Sequence, residues 1–561
     1  MSENLKKYLP ILDWARSYNA DWLLPDILAG LTVGVMLIPQ GMAYALIAGL
    51  PPIYGLYASI VPLLIYAIFG TSRQLGVGPV ALVSLMVGAA VASFSPSSVE
   101  ETLALSFLLS FMVGLFTLLM GVLRLGFVAN FLSNPVVSGF TSAAAVVIGF
   151  NQIKHILGIE VKGSKYIAEL FTSLMDKVQG LNLPTLLLGL GGVLLLLLLK
   201  KINRKIPGAL VLVVVAIAIS YFFGLVDKGV KIVGNIPSGL PGISFSFFDI
   251  NNISKLIPAT LAISFVGFIE TMAVAKSIRK NHRDYKLDAN QELIALGLSN
   301  FFGSFFQSYP ITGGFSRTAV NDEAGAKTPL SLIVSAVLVA FGLLFLTNVL
   351  FYLPLAVLGS IILVAISRLF HIEDLFVLYK TDKRDFFMWL ATFFATLFLG
   401  VEKGIGIGIG LSVMAVIYES SKPHIAVTGK LLGTSYYRNI QRFPQAELRN
   451  DVLVFRFDSS LYFANADFFM QKVEDLVLEK GPELKLVVLN AVSVNGMDST
   501  GADALREVVE VLDSQGIVFY IAGVIEPVLK VLEQNAIADE LGREYLFLHP
   551  QDAVEYFDSI K

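Results

Sequence analysis

Glu270 is the only charged residue of an apolar stretch, residues 261–275, that we expect inside a membrane. Charged side chains at that depth are costly and usually face a cavity or a partner. Such a carboxyl group is a candidate for taking up and releasing a proton, and the alternative is a structural ion pair or hydrogen bond. Sodium coupling would need several oxygen ligands, and Val274, one helical turn further on, offers none. The sequence therefore favours proton coupling.

Arg317 is the second charged residue among the apolar segments. It lies at the start of a short segment, residues 315–320, that follows the motif PITGG. A helix N-terminus presents free N–H groups and about half a positive charge. If the helix starts at Val80 and Phe315 converge near mid-membrane, they form an anion site to which Arg317 adds a full charge. In the alternative, Arg317 neutralises an acidic residue: Asp322, Glu323 or Glu270.

Pro39 and Gln40 interrupt the first apolar run of the chain. Proline removes a backbone donor and kinks a helix, so Gln40 offers its amide at the kink, with Tyr44 one turn later on the same face. Residues 38–45 align with residues 269–275 when Pro39 is set against Ile269, which brings Gln40 opposite Glu270. This alignment favours Gln40 as a residue of the site. In the alternative, Pro39 only kinks the helix for packing and Gln40 bonds a backbone carbonyl that the kink frees.

Other motifs lack the spacing that catalysis or metal binding requires. The run GIGIGIG at 404–410 has no strand before it and no lysine after it, so we interpret it as helix packing rather than nucleotide binding. The chain has no cysteine, and its five histidines show no ligand spacing. We therefore expect no catalytic residue, no metal site, no cofactor and no enzymatic activity.

Composition divides the 561 residues into two unlike parts. The whole chain is 55% hydrophobic and 15% charged, with a mean hydropathy of +0.72, whereas soluble domains are about 25% charged. Residues 422–561 hold 13 Lys and Arg against 21 Asp and Glu, a net charge of −8, and residues 1–421 hold 28 against 23, a net of +5. The pattern predicts a membrane domain with an acidic soluble tail, and it argues against nucleic-acid binding.

Apolar runs predict the membrane spans, each needing about 20 residues as a helix. Two further segments, residues 80–93 and 315–320, are too short and each is third in its half, which is typical of the binding site of a transporter. This arrangement predicts an inverted repeat of seven plus seven elements. The twelve full runs are 26–50, 53–69, 103–122, 127–156, 183–199, 208–225, 256–278, 292–306, 330–350, 353–369, 386–399 and 404–418.

Basic residues set the expected orientation, with both termini in the cytoplasm. Lys154, Lys162 and Lys165 fall on the outer side and count against it. The predicted divisions are a cytoplasmic segment (1–25), a transport domain (26–421, with repeats at about 26–225 and 254–420) and a cytoplasmic domain (422–561). The cytoplasmic turns contain Arg73, Arg124, Lys200, Lys201, Arg204, Lys205, Lys276, Arg279, Lys280, Arg283, Lys286, Arg368, Lys380, Lys383 and Arg384.

The tail alternates between strand and helix patterns. Residues 452–457, 486–489 and 517–521 read as buried strands, and residues 467–478 and 501–512 as helices, which predicts a sheet with helices on one side. Asp498 or Ser499 is placed to cap the second helix. A hydroxyl at a helix start is also suited to phosphorylation, which makes Ser499 and Thr500 candidate regulatory residues.

Together these residues resemble the sulfate permease (SulP) family of anion transporters, over nearly the whole chain. The tail resembles the STAS domain that ends most family members, through MDSTG at 497–501. The membrane part resembles the family through IPQGMAY at 38–44, PPIYGLY at 51–57, GPVALVS at 78–84, NPVVSGF at 134–140 and GFIE at 267–270.

The resemblance implies fourteen membrane segments with two broken half-helices, core and gate subdomains, elevator-like alternating access and a homodimer. It implies Glu270 as the coupling acid and Thr500 at the position phosphorylated in stand-alone STAS proteins. Val80 would act through its backbone, because some relatives have an aromatic residue there. The expected substrate site comprises Gln40, Tyr44, Val80, Ala81, Phe315, Ser316 and Arg317.

We accordingly expect a secondary active anion transporter of a bacterial inner membrane, with proton-coupled sulfate symport as the first choice. Bicarbonate and C4-dicarboxylates, coupled to protons or sodium or exchanged, are alternatives because helix ends and one arginine recognise charge better than shape. Two other classes stay open. One is a membrane-tethered signalling protein whose STAS domain binds a cytoplasmic regulatory protein, and the other is an anion channel of the same fold.

Overall fold

The chain divides into two compact units, Met1–Ser412 and Val413–Lys561, in a computed structural model. The structure describes residues 8–130, 133–161, 167–202, 207–235, 237–279, 282, 284–367, 370 and 372–560. Several residues used for the predicted orientation lie outside this part of the chain: Lys162, Lys165, Arg204, Lys205, Lys280, Arg283 and Arg368.

Helices make up the first unit, apart from two very short strands. Its first half contains α1 (Ile11–Trp14), α2 (Leu23–Ile47), α3 (Ile53–Tyr57), α4 (Val61–Phe69), β1 (Val77–Gly78), α5 (Ala81–Ala92), α6 (Val99–Val122), α7 (Asn134–Leu157), α8 (Ile167–Lys177), α9 (Leu183–Ile202) and α10 (Gly208–Phe222).

The second half of this unit repeats the pattern of long helices around one short strand. It contains α11 (Ile250–Arg279), α12 (Ala289–Phe305), β2 (Thr312–Gly313), α13 (Phe315–Glu323), α14 (Leu330–Phe345), α15 (Thr347–Leu350), α16 (Leu355–Ile366), α17 (Ile372–Thr381), α18 (Lys383–Leu399) and the first part of α19 (Val401–Ser421), which continues past Ser412.

The apolar runs predicted from the sequence are helical, which confirms the helical membrane fold. By length and composition, six stretches in the described residues can each cross a membrane: Ala20–Ile47, Val99–Val122, Asn134–Leu157, Leu183–Ile202, Ile250–Arg279 and Lys403–Ser421. Two predicted runs, 127–156 and 353–369, include residues 131–132 and 368–369, which lie outside the described part.

The run 53–69 is a correction, because it is two helices rather than one. The chain turns between Tyr57 and Val61, and Pro62 stands in the first turn of α4, where its missing N–H costs nothing. Gly55 crosses Gly41 of α2 so closely that a Cβ at Gly55 would lie 1.9 Å from the Gly41 carbonyl oxygen. Apolar composition alone could not reveal this break.

Glycine contacts hold the helices of the first unit together in two groups. In one group α2 packs on α14 and α6 packs on α12, and in the other α7 packs on α18 and α16. A Cβ added at Gly114 of α6 would lie 2.3 Å from the Phe301 nitrogen of α12, so these backbones touch. Such close approach favours association where the surrounding lipid supplies no hydrophobic drive.

Glu292 and Asp26 are buried carboxylates that bind loops to helices, and the sequence analysis assigned neither a role. Glu292, on α12, accepts hydrogen bonds from the Tyr66 hydroxyl (2.6 Å), the Thr71 N–H (2.7 Å) and hydroxyl (2.6 Å), and the Ser72 N–H (3.0 Å). Asp26, on α2, similarly accepts from Lys327 N–H (2.7 Å) and from Thr328 N–H (3.0 Å) and hydroxyl (2.6 Å). Each carboxylate therefore fixes the loop beside a half-helix.

The second unit is an α/β domain built on one six-stranded sheet. Strand order is β4-β3-β5-β6-β7-β8, with β5 to β8 parallel and β3 antiparallel to both of its neighbours. The strands are β3 (Ile425–Lys430), β4 (Tyr437–Asn439), β5 (Val452–Phe457), β6 (Leu486–Asn490), β7 (Val518–Ala522) and β8 (Leu546–Phe547). The helices are α20 (Ala466–Lys480), α21 (Ser499–Ser514), α22 (Glu526–Gln534), α23 (Ile537–Leu541) and α24 (Pro550–Ile560).

Helices cover both faces of this sheet, so the prediction of helices on one side is wrong. Alternate residues of β5 enter different cores: Phe455 joins the one shared with α20 and α21, and Val454 joins the one closed by Val554 and Phe557 of α24. Parallel strands are normally buried on both faces and read as continuous apolar runs, as these do. The sequence analysis recognised these apolar runs as buried strands, but it did not predict that α24 covers the second face of the sheet.

Replacing Glu292 with alanine should destabilise the first unit, because it leaves several buried donors without an acceptor. Each such group costs about 1–3 kcal/mol, so we expect the free energy of unfolding to fall by at least about 3 kcal/mol. Unfolding of the full chain in detergent measures this. The control is Glu100→Ala, at an exposed carboxylate of α6, which should change stability by less than about 0.5 kcal/mol. Equal effects of the two variants would contradict the assigned role.

Candidate anion site

Two short strands cross at the centre of the first unit and place both half-helices. Val77 pairs with Gly313 and Gly78 with Thr312 in an antiparallel ladder, and the Gly314 N–H donates to the Gly76 carbonyl at 2.9 Å. Helix α5 begins three residues after β1, and α13 begins two residues after β2. The crossing therefore brings the starts of the two broken segments together, as the sequence predicted.

Neither half-helix has a side-chain cap at its N-terminus. Val80 precedes α5 and Gly314 precedes α13, and the first internal backbone bonds run from Ser84 N–H to Val80 and from Thr318 N–H to Gly314, each 3.0 Å. Before them, six backbone N–H groups have no hydrogen-bond partner among the described residues: those of Ala81, Leu82, Val83, Phe315, Ser316 and Arg317. Free N–H groups at two helix starts make a ready anion site.

The guanidinium of Arg317 lies behind these helix starts and is enclosed by backbone. Arg317 is 2% exposed, and its Nη1 donates to the Pro79 carbonyl at 2.5 Å. Its Nε and Nη2 are shielded from solvent and have no hydrogen-bond partner within the described chain. Leaving a buried N–H donor without an acceptor costs free energy. A nearby anion would offset this cost, because its charge opposes that of the guanidinium.

Three glycines lie close to Arg317. A Cβ at Gly314 would lie 2.8 Å from Arg317 Nη2, and one at Gly76 would lie 2.8 Å from Arg317 Cβ. Gly78 has φ +142°, a conformation that favours glycine. Glycine is therefore required at Gly76 by the space beside Arg317 and at Gly78 by its backbone conformation.

Arg317 interacts electrostatically with Glu270 but forms no ion pair with it. Asp322 instead lies 2.5 Å from His282 Nε2, and no ion pair joins Arg317 to Asp322, Glu323 or Glu270 among the described residues. In this conformation none of the three carboxylates in the described part of the chain therefore holds Arg317 in an ion pair.

Glu270 lies on α11, near enough to Arg317 for the two charges to interact without forming an ion pair. The residue is half-buried, and its Oε2 atom is shielded from solvent without a hydrogen-bond partner in the described chain. Thr271 is used elsewhere: its hydroxyl lies 2.7 Å from that of Thr312 and accepts from the Gly313 N–H at 3.0 Å. The carboxyl group is therefore not locked by a neighbouring side chain.

Gln40 and Tyr44 lie one turn apart on α2 around Pro39, which is inside the helix. Both are buried, and the Gln40 amide makes no hydrogen bond to another described residue. Tyr44 lies close enough to Arg317 to act electrostatically on it. The structure thus brings Tyr44, Arg317 and Glu270 into one neighbourhood.

The remaining predicted residues are the helix starts themselves. Val80 and Ala81 are buried, Ser316 is half-buried and Phe315 is 58% exposed. The Ser316 hydroxyl has no partner among the described residues. Backbone N–H groups and one hydroxyl, rather than a ring of charged side chains, therefore face any ligand at this point.

Tyr309 and Ser84 belong to the same neighbourhood, although the sequence analysis did not select them. Tyr309 is fully buried, its hydroxyl lies 3.2 Å from that of Ser84, and it interacts electrostatically with Arg317. Their position close to GGF and GPV was the only available signal. Tyrosine and serine are frequent in apolar segments, so type and spacing could not distinguish them.

Two other motifs behave as the sequence indicated. In the glycine run, a Cβ at Gly404 would lie 2.1 Å from Thr396 Oγ1 and one at Gly408 would lie 2.5 Å from Val136, so this run packs closely on neighbouring helices. In the second unit, Asp498 caps α21 by accepting the Gly501 N–H at 2.8 Å. Ser499 and Thr500 are exposed at that helix start.

Comparison with known proteins agrees with this fold. Residues 23–392 match the sulfate permease family and residues 443–553 match the STAS domain. The chain therefore belongs to the sulfate permease family of anion transporters and carries the STAS domain at its carboxyl-terminal side. The resemblance noted in the sequence is confirmed.

Relatives and solved structures cover nearly the whole chain. It is 40% identical to the probable sulfate transporter 4.2 of Arabidopsis thaliana (97% of this chain, 83% of the relative) and 35% identical to the high affinity sulfate transporter 2 of Stylosanthes hamata (98% and 86%). It is 28% identical to the murine Solute Carrier 26 family member A9 anion transporter in the inward-facing state, with a TM-score of 0.92 (100% and 95%).

Substituting alanine at Gly76 should disrupt the site, because the new Cβ meets Arg317 and the backbone of Thr318. Overpacking of this kind costs about 1–3 kcal/mol, and we expect anion uptake into proteoliposomes to fall by at least about tenfold. The control is Gly406→Ala on α19, where nothing lies within 4 Å. Uptake by Gly76→Ala equal to that by Gly406→Ala would contradict the packing described.

Proposed function

We propose that this protein is a secondary active sulfate transporter that couples uptake to protons. The observation that carries the proposal is the meeting of two uncapped helix starts above the enclosed guanidinium of Arg317, with Glu270 unpaired nearby. Free N–H groups and a full positive charge bind an anion without a metal. The carboxyl group supplies a place for a proton that travels with it.

Sulfate is the first choice because the compared plant relatives are named sulfate transporters. A tetrahedral dianion can accept hydrogen bonds from both helix starts at once, since its oxygens point in several directions. Gln40 and Ser316 offer further polar groups at the edge of the site. Bicarbonate or a C4-dicarboxylate would use the same N–H groups, and exchange or sodium coupling would use a different driving ion.

Proton coupling through Glu270 rests on charge balance beside Arg317. With Glu270 ionised, its negative charge opposes a dianion; once protonated, the residue leaves Arg317 and the helix starts to hold the anion alone. Thr271 is already bonded to the β2 strand, so it provides no sodium ligand to the carboxylate. The group is therefore suited to a proton rather than a metal ion.

Alternating access would follow from the two groups of packed helices. The group containing α2, α6, α12 and α14 holds the half-helices, and the group containing α7, α16 and α18 lies against it through contacts of α16 with α2. Movement of the first group as a rigid body would carry the anion site across the membrane as an elevator. The buried bonds of Glu292 and Asp26 support such rigidity.

We further propose a homodimer, a transport domain over residues 26–421 without enzymatic activity, and an orientation with both termini in the cytoplasm. Ser499 and Thr500 are exposed at the start of α21, where an added phosphate would face the helix N-terminus. A cytoplasmic regulatory protein would recognise this helix start. The bacterial inner membrane stays a prediction, which the compared plant relatives do not support.

Replacing Glu270 with glutamine should abolish pH-driven sulfate accumulation, because the amide cannot release a proton. Labelled sulfate uptake into proteoliposomes under an imposed pH gradient measures this, and sulfate–sulfate exchange without a gradient should persist. The matched control, Glu100→Gln, should behave as the wild type. Intact pH-driven accumulation in Glu270→Gln would show that this carboxyl group is not the coupling acid.

Replacing Arg317 with glutamine should weaken sulfate binding by about tenfold to a hundredfold, since hydrogen bonds to charged groups contribute about 1.5–3 kcal/mol. Equilibrium binding of labelled sulfate to the purified chain measures the dissociation constant. Lys255→Gln, at an exposed lysine of α11, removes the same charge away from the site. Equal affinities of the two variants would argue for the signalling alternative, which requires no anion site.

A further inference from the structure

A second group of cationic side chains surrounds a cavity at the carboxyl-terminal end of α7. The cavity measures about 420 Å³, large enough for a hydrated oxyanion. Lys154 and His155 come from the last turn of α7, Lys177 ends α8, and Lys231 and Glu160 lie in loops. None of these residues belongs to the site at the half-helices.

The charges around this cavity do not cancel. Among the described residues that line it, three lysines stand against one carboxylate: Glu160 pairs with Lys231, and its backbone carbonyl accepts from Lys177 Nζ at 2.7 Å. Lys154 is half-buried, and neither it nor His155 forms a hydrogen bond or ion pair with the described residues. An unpaired ammonium group therefore lines a space of molecular size.

The lysines, and not helix ends, supply the positive potential here. The first turn of α9 is capped, because the Asn182 side chain accepts the Thr185 N–H at 2.9 Å. The Leu355 N–H at the start of α16 likewise donates to the Lys231 carbonyl at 2.9 Å. This site differs in its chemistry from the one at α5 and α13, where free N–H groups dominate.

We propose that this cavity is a second anion-binding site, specific for small oxyanions such as sulfate. Lys154 provides a half-buried charge, and Lys231 and Lys177 close the rim. In the proposed orientation the cavity opens on the outer face, where it would concentrate anions before they reach the transport site. Binding itself does not depend on transport, so the two proposals can fail separately.

The test is equilibrium binding of labelled sulfate to the purified full chain at low ionic strength, where exposed charges are least screened. The wild type should bind two sulfates per chain. The double variant K154Q/K231Q should bind one, and the single variant Arg317→Gln should keep the site that K154Q/K231Q loses. The control Lys228→Gln removes an exposed lysine that does not line the cavity and should still bind two.

A gain of affinity provides an independent measurement that misfolding cannot imitate. Glu160→Gln removes the single carboxylate of the cavity and releases Lys231, so sulfate should bind this site at least about fivefold more tightly. Unchanged binding in both K154Q/K231Q and Glu160→Gln would overturn the proposal. Loss of all binding in Arg317→Gln would equally overturn it. If the wild type binds a single sulfate and only K154Q/K231Q loses it, the proposed transport site is overturned instead.

Discussion

The buried guanidinium of Arg317 has to be enclosed by backbone rather than by acidic side chains, and this requirement shapes the centre of the membrane domain. Only glycine fits at Gly76 beside it, where an added Cβ would meet the Cβ and the backbone of Arg317, and two residues of each strand pair before the half-helices begin. Because one nitrogen of the guanidinium is fixed to the Pro79 carbonyl, the charge stays under both helix starts. The residues that would bind the anion are consequently the same residues that pack around the two paired strands.

Rigidity around that centre comes from carboxylates at the loops beside the half-helices. Glu292 and Asp26 each accept hydrogen bonds from two backbone N–H groups and from hydroxyl donors, which fixes those loops to the helices. Glu270, in contrast, has an oxygen without a partner. Of these carboxylates in the membrane domain, two are saturated with donors and structural, and the unsaturated one is the candidate for chemistry. The distinction depends on neighbours far apart in the chain.

Much of the fold was predictable because apolar length and Gly or Pro interruptions act locally. The short third segments at 80–93 and 315–320 were identified in this way, and so were the parallel strands of the second unit. The break between α3 and α4 was missed, because residues 53–69 were judged by their apolar composition and the proline in the first turn of α4 was not used. The covering of the sheet by α24 was also missed, because an amphipathic helix does not reveal which face it will meet.

The sequence by itself determined that a membrane domain precedes an acidic α/β domain, and it singled out Glu270 and Arg317 as charges among apolar residues. Tertiary structure decided what those charges do. It separated Arg317 from its possible acidic partners, added Tyr309 to its surroundings, and placed Lys154 beside a cavity with cations from distant loops. The physical reason is that composition and periodicity indicate whether a segment contacts lipid, water or the protein core. The pairing of charges depends instead on distances that only folding creates.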